Sequence, residues 1–165
     1  MSLVPFRGYF LDVVRLMGRD LETRFSIGRK FPVILDPRPP DIAQPSVLIV
    51  EDEPIVAAHQ AAIMEEAGYR VLAAASDAEG ALVAANAAPP DVAIVDVTLR
   101  GGIDGITVGR ELKRRHGTAI VFVTGRLEQA VCQIHDIGAV FVGKPFADRE
   151  VLGAVEDALR HRAEH

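Results

Sequence analysis

The chain has 165 residues, room for one domain with a real core plus an appendage but not for two full domains. Its 18 basic and 23 acidic residues give a formal net charge of −5, which argues against nucleic-acid binding as the main role, because such domains carry a basic footprint. The single Cys132 excludes an internal disulfide, no Cys/His cluster has zinc spacing, and no apolar stretch is long enough for membrane insertion.

The N-terminal segment differs from the rest. Phe10, Val13, Val14, Met17 and Leu21 recur at helical spacing, and this predicts an amphipathic helix over about 6–24. Arg7, Asp12 and Arg15 break what would be the apolar stretch of a secretory signal, so the expected location is cytoplasmic. The prolines of Asp36-Pro37-Arg38-Pro39-Pro40-Asp41 favour an extended linker. The chain is therefore divided into an extension, 1–45, and a domain, 46–165. Seven basic and five acidic residues make the extension +2 and leave −7 for the remainder. Its amphipathic helix is expected to pack on the chain's own domain or on a second copy, the second case giving a homodimer, with a partner-specific docking arm as the alternative.

Beyond the linker, strand and helix signals alternate. Four short apolar runs each end in polar residues. Val47-Leu48-Ile49-Val50 leads to Glu51-Asp52, and Val92-Ala93-Ile94-Val95 to Asp96. Ile120-Val121-Phe122-Val123 leads to Thr124, and Ala139-Val140-Phe141-Val142-Gly143 to Lys144-Pro145. Such runs read as strands buried on both faces of a parallel sheet. A fifth strand is predicted over 69–74, with helices over 54–67, 77–86, 105–116, 127–137 and 148–161. Ser76 and Glu79 have the spacing of a capping box for the second helix. The expected fold is a flavodoxin-like α/β domain, a doubly wound five-stranded parallel sheet of (βα)5 form, with an N-terminal helical extension.

In such sheets the functional crevice lies at the carboxyl ends of the strands, where all five polar groups fall. Three clustered carboxylates repel one another, and a divalent cation is the natural counter-charge. Mg²⁺ suits carboxylate oxygens while keeping several waters. Lys144 adds an ammonium and Thr124 a hydroxyl donor, both suited to phosphoryl oxygens. A carboxylate can itself accept a phosphoryl group as nucleophile.

The segments Val50-Glu51-Asp52-Glu53-Pro54, Val95-Asp96, Val123-Thr124-Gly125 and Gly143-Lys144-Pro145-Phe146, in that order at strand ends, resemble the receiver domain of bacterial two-component response regulators. The resemblance covers about 46–162. It implies that Asp96 is the phosphoacceptor, and that Glu51, Asp52, Asp96 and the backbone carbonyl of Thr98 hold Mg²⁺. It further implies that Thr124 and Lys144 contact the phosphoryl group, that Phe141 is the switch aromatic, and that the Lys144–Pro145 bond is cis. Val56 and His59 lie on the first helix, where receivers typically dock kinases.

Two features depart from the family pattern. Glu51 stands where Asp is commoner, and the segment Val97 to Gly105 lacks the usual proline and is one residue longer than the common form. The run Phe122-Val123-Thr124-Gly125-Arg126 is similar to a motif of single-domain receivers in general stress signalling.

The expected function is that of a single-domain response regulator and not a turnover enzyme. Its expected partners are a sensor histidine kinase or histidine phosphotransfer protein and a downstream protein target. One alternative is a degenerate receiver that docks partners without phosphate. Another is an aspartate-nucleophile phosphatase of the haloacid-dehalogenase type, but that chemistry wants an Asp two residues after the nucleophile, where Thr98 stands.

Overall fold

In the computed structural model, residues 44–99, 104–134 and 137–163 are described. The predicted helix over 6–24 and the linker lie outside them. The described chain alternates strictly: β1 (Ser46–Val50), α1 (Pro54–Glu66), β2 (Arg70–Ala75), α2 (Ala78–Ala87), β3 (Val92–Asp96), α3 (Gly105–His116), β4 (Ala119–Thr124), α4 (Leu127–Gln133), β5 (Val140–Gly143) and α5 (Asp148–Ala163). All strand pairs are parallel, in the order β2-β1-β3-β4-β5. The expected doubly wound sheet is therefore present.

Strand alternation sorts the core into two layers. Leu48, Val50, Ala93, Val95, Ile120 and Phe122 face a layer that includes Ala78, Ala81, Ala84 and Ala85 of α2, Val108 and Leu112 of α3, and Ala130 of α4. The intervening Val47, Ile49, Val92, Ile94, Val121 and Val123 face Ala57, Ile63 and Met64 of α1 and Val151, Ala154 and Val155 of α5. Both faces are covered, which is why β1, β3 and β4 read as continuous apolar runs and not as alternating ones. Among the described residues, no helix is long and apolar enough to cross a membrane.

Helix ends show where local signals were decisive and where they misled. Pro54 opens α1, where its missing N–H has no helical partner to lose. The cap of α2 is Asp77 and not Ser76: the Asp77 carboxylate accepts from the N–H of Gly80 at 2.8 Å. The expected Ser76–Glu79 box therefore does not form, because Asp77 already occupies the capping position one residue later. Asp104 caps α3 in the same way through Thr107 N–H at 2.7 Å, and Gly117 closes that helix in the left-handed region at φ 65°.

Helix α4 stops at Gln133, short of the predicted 137. Ile134 turns out of the helix (φ −127°, ψ 78°) and is buried in the core against the α2 and α3 side of the sheet. The Ile134 N–H donates to the Ala130 carbonyl at 3.0 Å and closes the final turn. Strand β2 begins and ends one residue later than predicted, and its register against β1 slips by one residue between Val47 and Leu48.

Candidate functional site

The order of the strands brings the polar residues together. The chain winds outward from β1 to β2 and then returns to place β3 on the other side of β1. Such a reversal leaves a crevice above the carboxyl ends of β1 and β3. Val50 pairs with Val95, so Glu51 and Asp96 follow in the next register positions. Asp96 pairs with Val123, and Thr124 with Gly143, which sets Thr124 and Lys144 on the neighbouring strand ends.

At this edge lies a cleft of about 320 Å³ lined by Asp52, Glu53, Asp96, Thr98, Leu99, Gly125 and Lys144. Carboxylate oxygens of Glu51, Asp52 and Asp96 lie within 4.8 Å of one another. Glu51 and Asp96 are only 2% and 6% exposed. The Lys144 ammonium donates to Glu51 Oε2 at 2.8 Å and to Asp96 Oδ2 at 2.6 Å. Among the described residues, two buried carboxylates and a third beside them are gathered around the Lys144 ammonium. Oxygen donors in that arrangement fit a hard divalent cation.

Backbone N–H groups hold these carboxylates in place. Thr98 N–H donates to Asp96 Oδ1 at 2.8 Å, and Glu53 N–H to Glu51 Oε1 at 3.2 Å. Burial pushes the Glu51 carboxyl above its ordinary pKa; the Asp96 charge adds to this, and Lys144 opposes it. For Lys144, burial works downward, but hydrogen bonds to Asp96 and Glu51 outweigh it and leave the ammonium above its ordinary value. The two directions are consistent, with Lys144 firmly charged and Glu51 under strain from lost hydration.

Thr124 ends β4, 1% exposed, and does not line the cleft. Its hydroxyl accepts from Arg126 N–H at 3.0 Å and its carbonyl accepts from Lys144 N–H at 2.8 Å, so it braces the base of Lys144. Phe141 is half-buried with its ring 5.7 Å from that of Phe122. The Lys144–Pro145 bond is cis, as the resemblance implied.

On α1, Val56 is half-buried and His59 is exposed. His59 is engaged within the domain, with Nε2 3.1 Å from Asp148 Oδ1 and its ring stacked on Phe146. Ile55, which sequence reasoning passed over, is 86% exposed beside the cleft-lining Glu53. Gly105 and Gly109 were missed too. A Cβ on Gly105 would overlap the Asp96 carbonyl, and one on Gly109 would lie 2.6 Å from Phe122 Cζ. A glycine directly behind the capping Asp104, where helix propensity disfavours it, was the available signal.

The family profile described as the response regulator receiver domain matches residues 47–156. The nitrogen assimilation regulatory protein NtrX of Azorhizobium caulinodans is 37% identical over 111 residues, covering 64% of this chain and 24% of its own length. The transcriptional regulatory protein BaeR of Escherichia coli O6:H1 is 34% identical over 124 residues, covering 74% of this chain and 51% of its own. The chain thus spans between about a quarter and a half of these two relatives. Among solved structures, the receiver domain of a modulated diguanylate cyclase from Desulfovibrio desulfuricans G20 superposes with a TM-score of 0.67 at 29% identity, covering 73% of this chain and 97% of that one. The receiver domain of NtrX from Brucella abortus gives 0.63 at 32% identity, covering 69% and 98%.

Proposed function

Since the chain belongs to the response regulator receiver family, we propose that Asp96 accepts a phosphoryl group from a sensor histidine kinase or histidine phosphotransfer protein. The observation that carries this reading is the setting of Asp96. It lies at the cleft, 2.6 Å from an ammonium and beside two further carboxylates.

In the proposed step a carboxylate oxygen of Asp96 attacks the phosphorus of a phosphohistidine. The O–P bond forms as the P–N bond breaks, the electron pair of that bond returns to the imidazole nitrogen, and an acyl phosphate results. The carboxylates of Glu51, Asp52 and Asp96 and the backbone carbonyl of Thr98 would hold Mg²⁺. Bound there, it supplies positive charge to the phosphoryl oxygens. Lys144 already sits on Asp96 and gives a second positive contact to the incoming group. Attack by water on the acyl phosphate would release inorganic phosphate and reset the site.

The signal then passes outward from β4 and β5. Thr124 turns its hydroxyl from Arg126 N–H toward the phosphoryl group, and Phe141 repacks against Phe122. The surface formed by α4, β5 and α5 changes as a result, and a downstream protein reads it. Donor docking is assigned to the start of α1, where Ile55 offers an exposed apolar side chain near Val56 and the cleft rim. His59 supports that surface from its contacts with Phe146 and Asp148.

The test is intact mass after incubation with Mg²⁺ and a small phosphodonor, comparing the native chain with Asp96→Asn. The native chain is expected to gain one phosphoryl group and the variant none. An unmodified native chain that still binds Mg²⁺ would overturn the reading.

A further inference from the structure

Glycine is a poor helix former, yet Gly105 is the first residue of α3, directly after its cap Asp104. A carbon added there would lie 1.8 Å from the carbonyl oxygen of Asp96, 2.8 Å from its carbonyl carbon and 3.1 Å from Val95 Cγ1. The two shortest approaches are to backbone, so no change of rotamer relieves them. Gly105 N–H donates to the Val97 carbonyl at 3.1 Å, and Val97 N–H donates to the Val123 carbonyl at 3.1 Å. Thr98 N–H in turn holds Asp96 Oδ1. The Asp96–Val97 and Val97–Thr98 peptides, between the phosphoacceptor and Thr98, are thus fixed between β4 and the first residue of α3.

Gly109, one turn along, gives a contrast within the same helix. A carbon added there would meet the Phe122 ring, 2.6 Å from Cζ and 2.9 Å from Cε1, and no part of the cleft. One glycine is seated against the backbone of the site, the other against a side chain of the core.

We infer that Gly105 is a positioning residue. Its missing side chain lets the start of α3 close on the Asp96 carbonyl, and that closure sets where the Asp96 carboxylate and the Thr98 carbonyl stand in the cleft. The inference rests on the phosphoacceptor reading for its consequence, though not for its geometry.

The experiment compares Gly105→Ala and Gly109→Ala in the full chain by amide NMR with Mg²⁺ titration, thermal melting and phosphoryl uptake. Gly105→Ala is expected to shift the amides of Asp96, Val97 and Thr98. It should also weaken Mg²⁺ binding about 10-fold and slow phosphoryl uptake by about 10- to 100-fold, the scale of loss from a 1 Å misplacement. Gly109→Ala is expected to lower the melting temperature while Mg²⁺ affinity stays within about twofold of native, since its strain falls on the core.

If Gly105→Ala does not fold, Asp104→Ala loosens the same helix start without adding bulk. It should shift the same amides and weaken Mg²⁺ about threefold, and Asp104→Asn, which keeps a cap, should restore both. Unmoved site amides with Mg²⁺ affinity near native in the folded variant would overturn the inference. Equal losses in Gly105→Ala and Gly109→Ala would do the same. A native chain that neither binds Mg²⁺ nor takes up phosphoryl would sink the phosphoacceptor reading alone, because the amide shifts still judge the seat of Gly105.

Discussion

Replacing Glu51 with Gln should make the domain more stable at neutral pH while weakening its cation site. Burial is the largest cause of the raised Glu51 carboxyl, ahead of the opposing Lys144 hydrogen bond and the charge of Asp96, and holding an ion away from water costs several kcal/mol. Against this, Glu51→Gln weakens the hydrogen bond from Lys144, a charged contact worth roughly 1.5–3 kcal/mol. The difference leaves a net gain of about 1 kcal/mol, or roughly 4 °C in melting temperature for a domain of this size.

The sign of the pH dependence follows from the upward shift of the Glu51 carboxyl, caused by burial and then by Asp96. An acid whose folded pKa is raised takes stability away as pH climbs from the ordinary glutamate range through the folded value. The advantage of the variant should therefore be present at pH 7 and vanish below about pH 4. Mg²⁺ reverses the ranking, because a ligand at about 100 times its dissociation constant stabilises by about 2.7 kcal/mol and the variant has lost one of its carboxylates. The assay is thermal melting in EDTA and in Mg²⁺ at both pH values. A variant that melts below the native chain in EDTA at pH 7, or that gains as much from Mg²⁺, would refute the reasoning.

Three other outcomes follow from packing and charge. Asp91 accepts from Ser46 N–H and hydroxyl at 2.8 and 2.7 Å and from Arg162 at 2.7 Å. Burial acts upward on its carboxyl, but these bonds prevail and hold it below the ordinary aspartate value. Its contribution is full above the ordinary aspartate range and is lost as pH falls through the depressed value. Asp91→Ala should thus cost roughly 1–2 kcal/mol at pH 7, discounted for partial exposure, and clearly less in acid, as read by urea unfolding. Gly109→Ala should destabilise by about 1–2 kcal/mol, the strain against Phe122 exceeding the gain in helix propensity, and denaturant midpoints check it. His59→Ala should change stability by less than about 1 kcal/mol, since its pair with Asp148 is half-exposed, yet slow transfer from a cognate phosphohistidine donor, measured against a small phosphodonor as control.

The strands, their parallel arrangement and the edge on which Glu51, Asp52, Asp96, Thr124 and Lys144 fall were legible in the amino-acid sequence. Buried parallel strands need continuous apolar runs, and the residue that ends each run must sit at the crevice. Local signals served less well wherever two candidates competed for one role. Ser76 and Asp77 both suited a cap, and only the actual backbone put Asp77 one turn before Gly80 N–H. The range expected for α4 ran on to 137, and only the backbone shows the chain leaving the helix at Ile134.

Contacts between segments far apart in the chain were out of reach of any local pattern. Nothing near His59 announces Asp148, and nothing near Ser46 announces Asp91 and Arg162. The close approach of Gly105 to the Asp96 carbonyl is of the same kind. Composition and periodicity report what a residue prefers along its own element. Which distant group it meets depends on how the layers close over the sheet, and that is settled by packing.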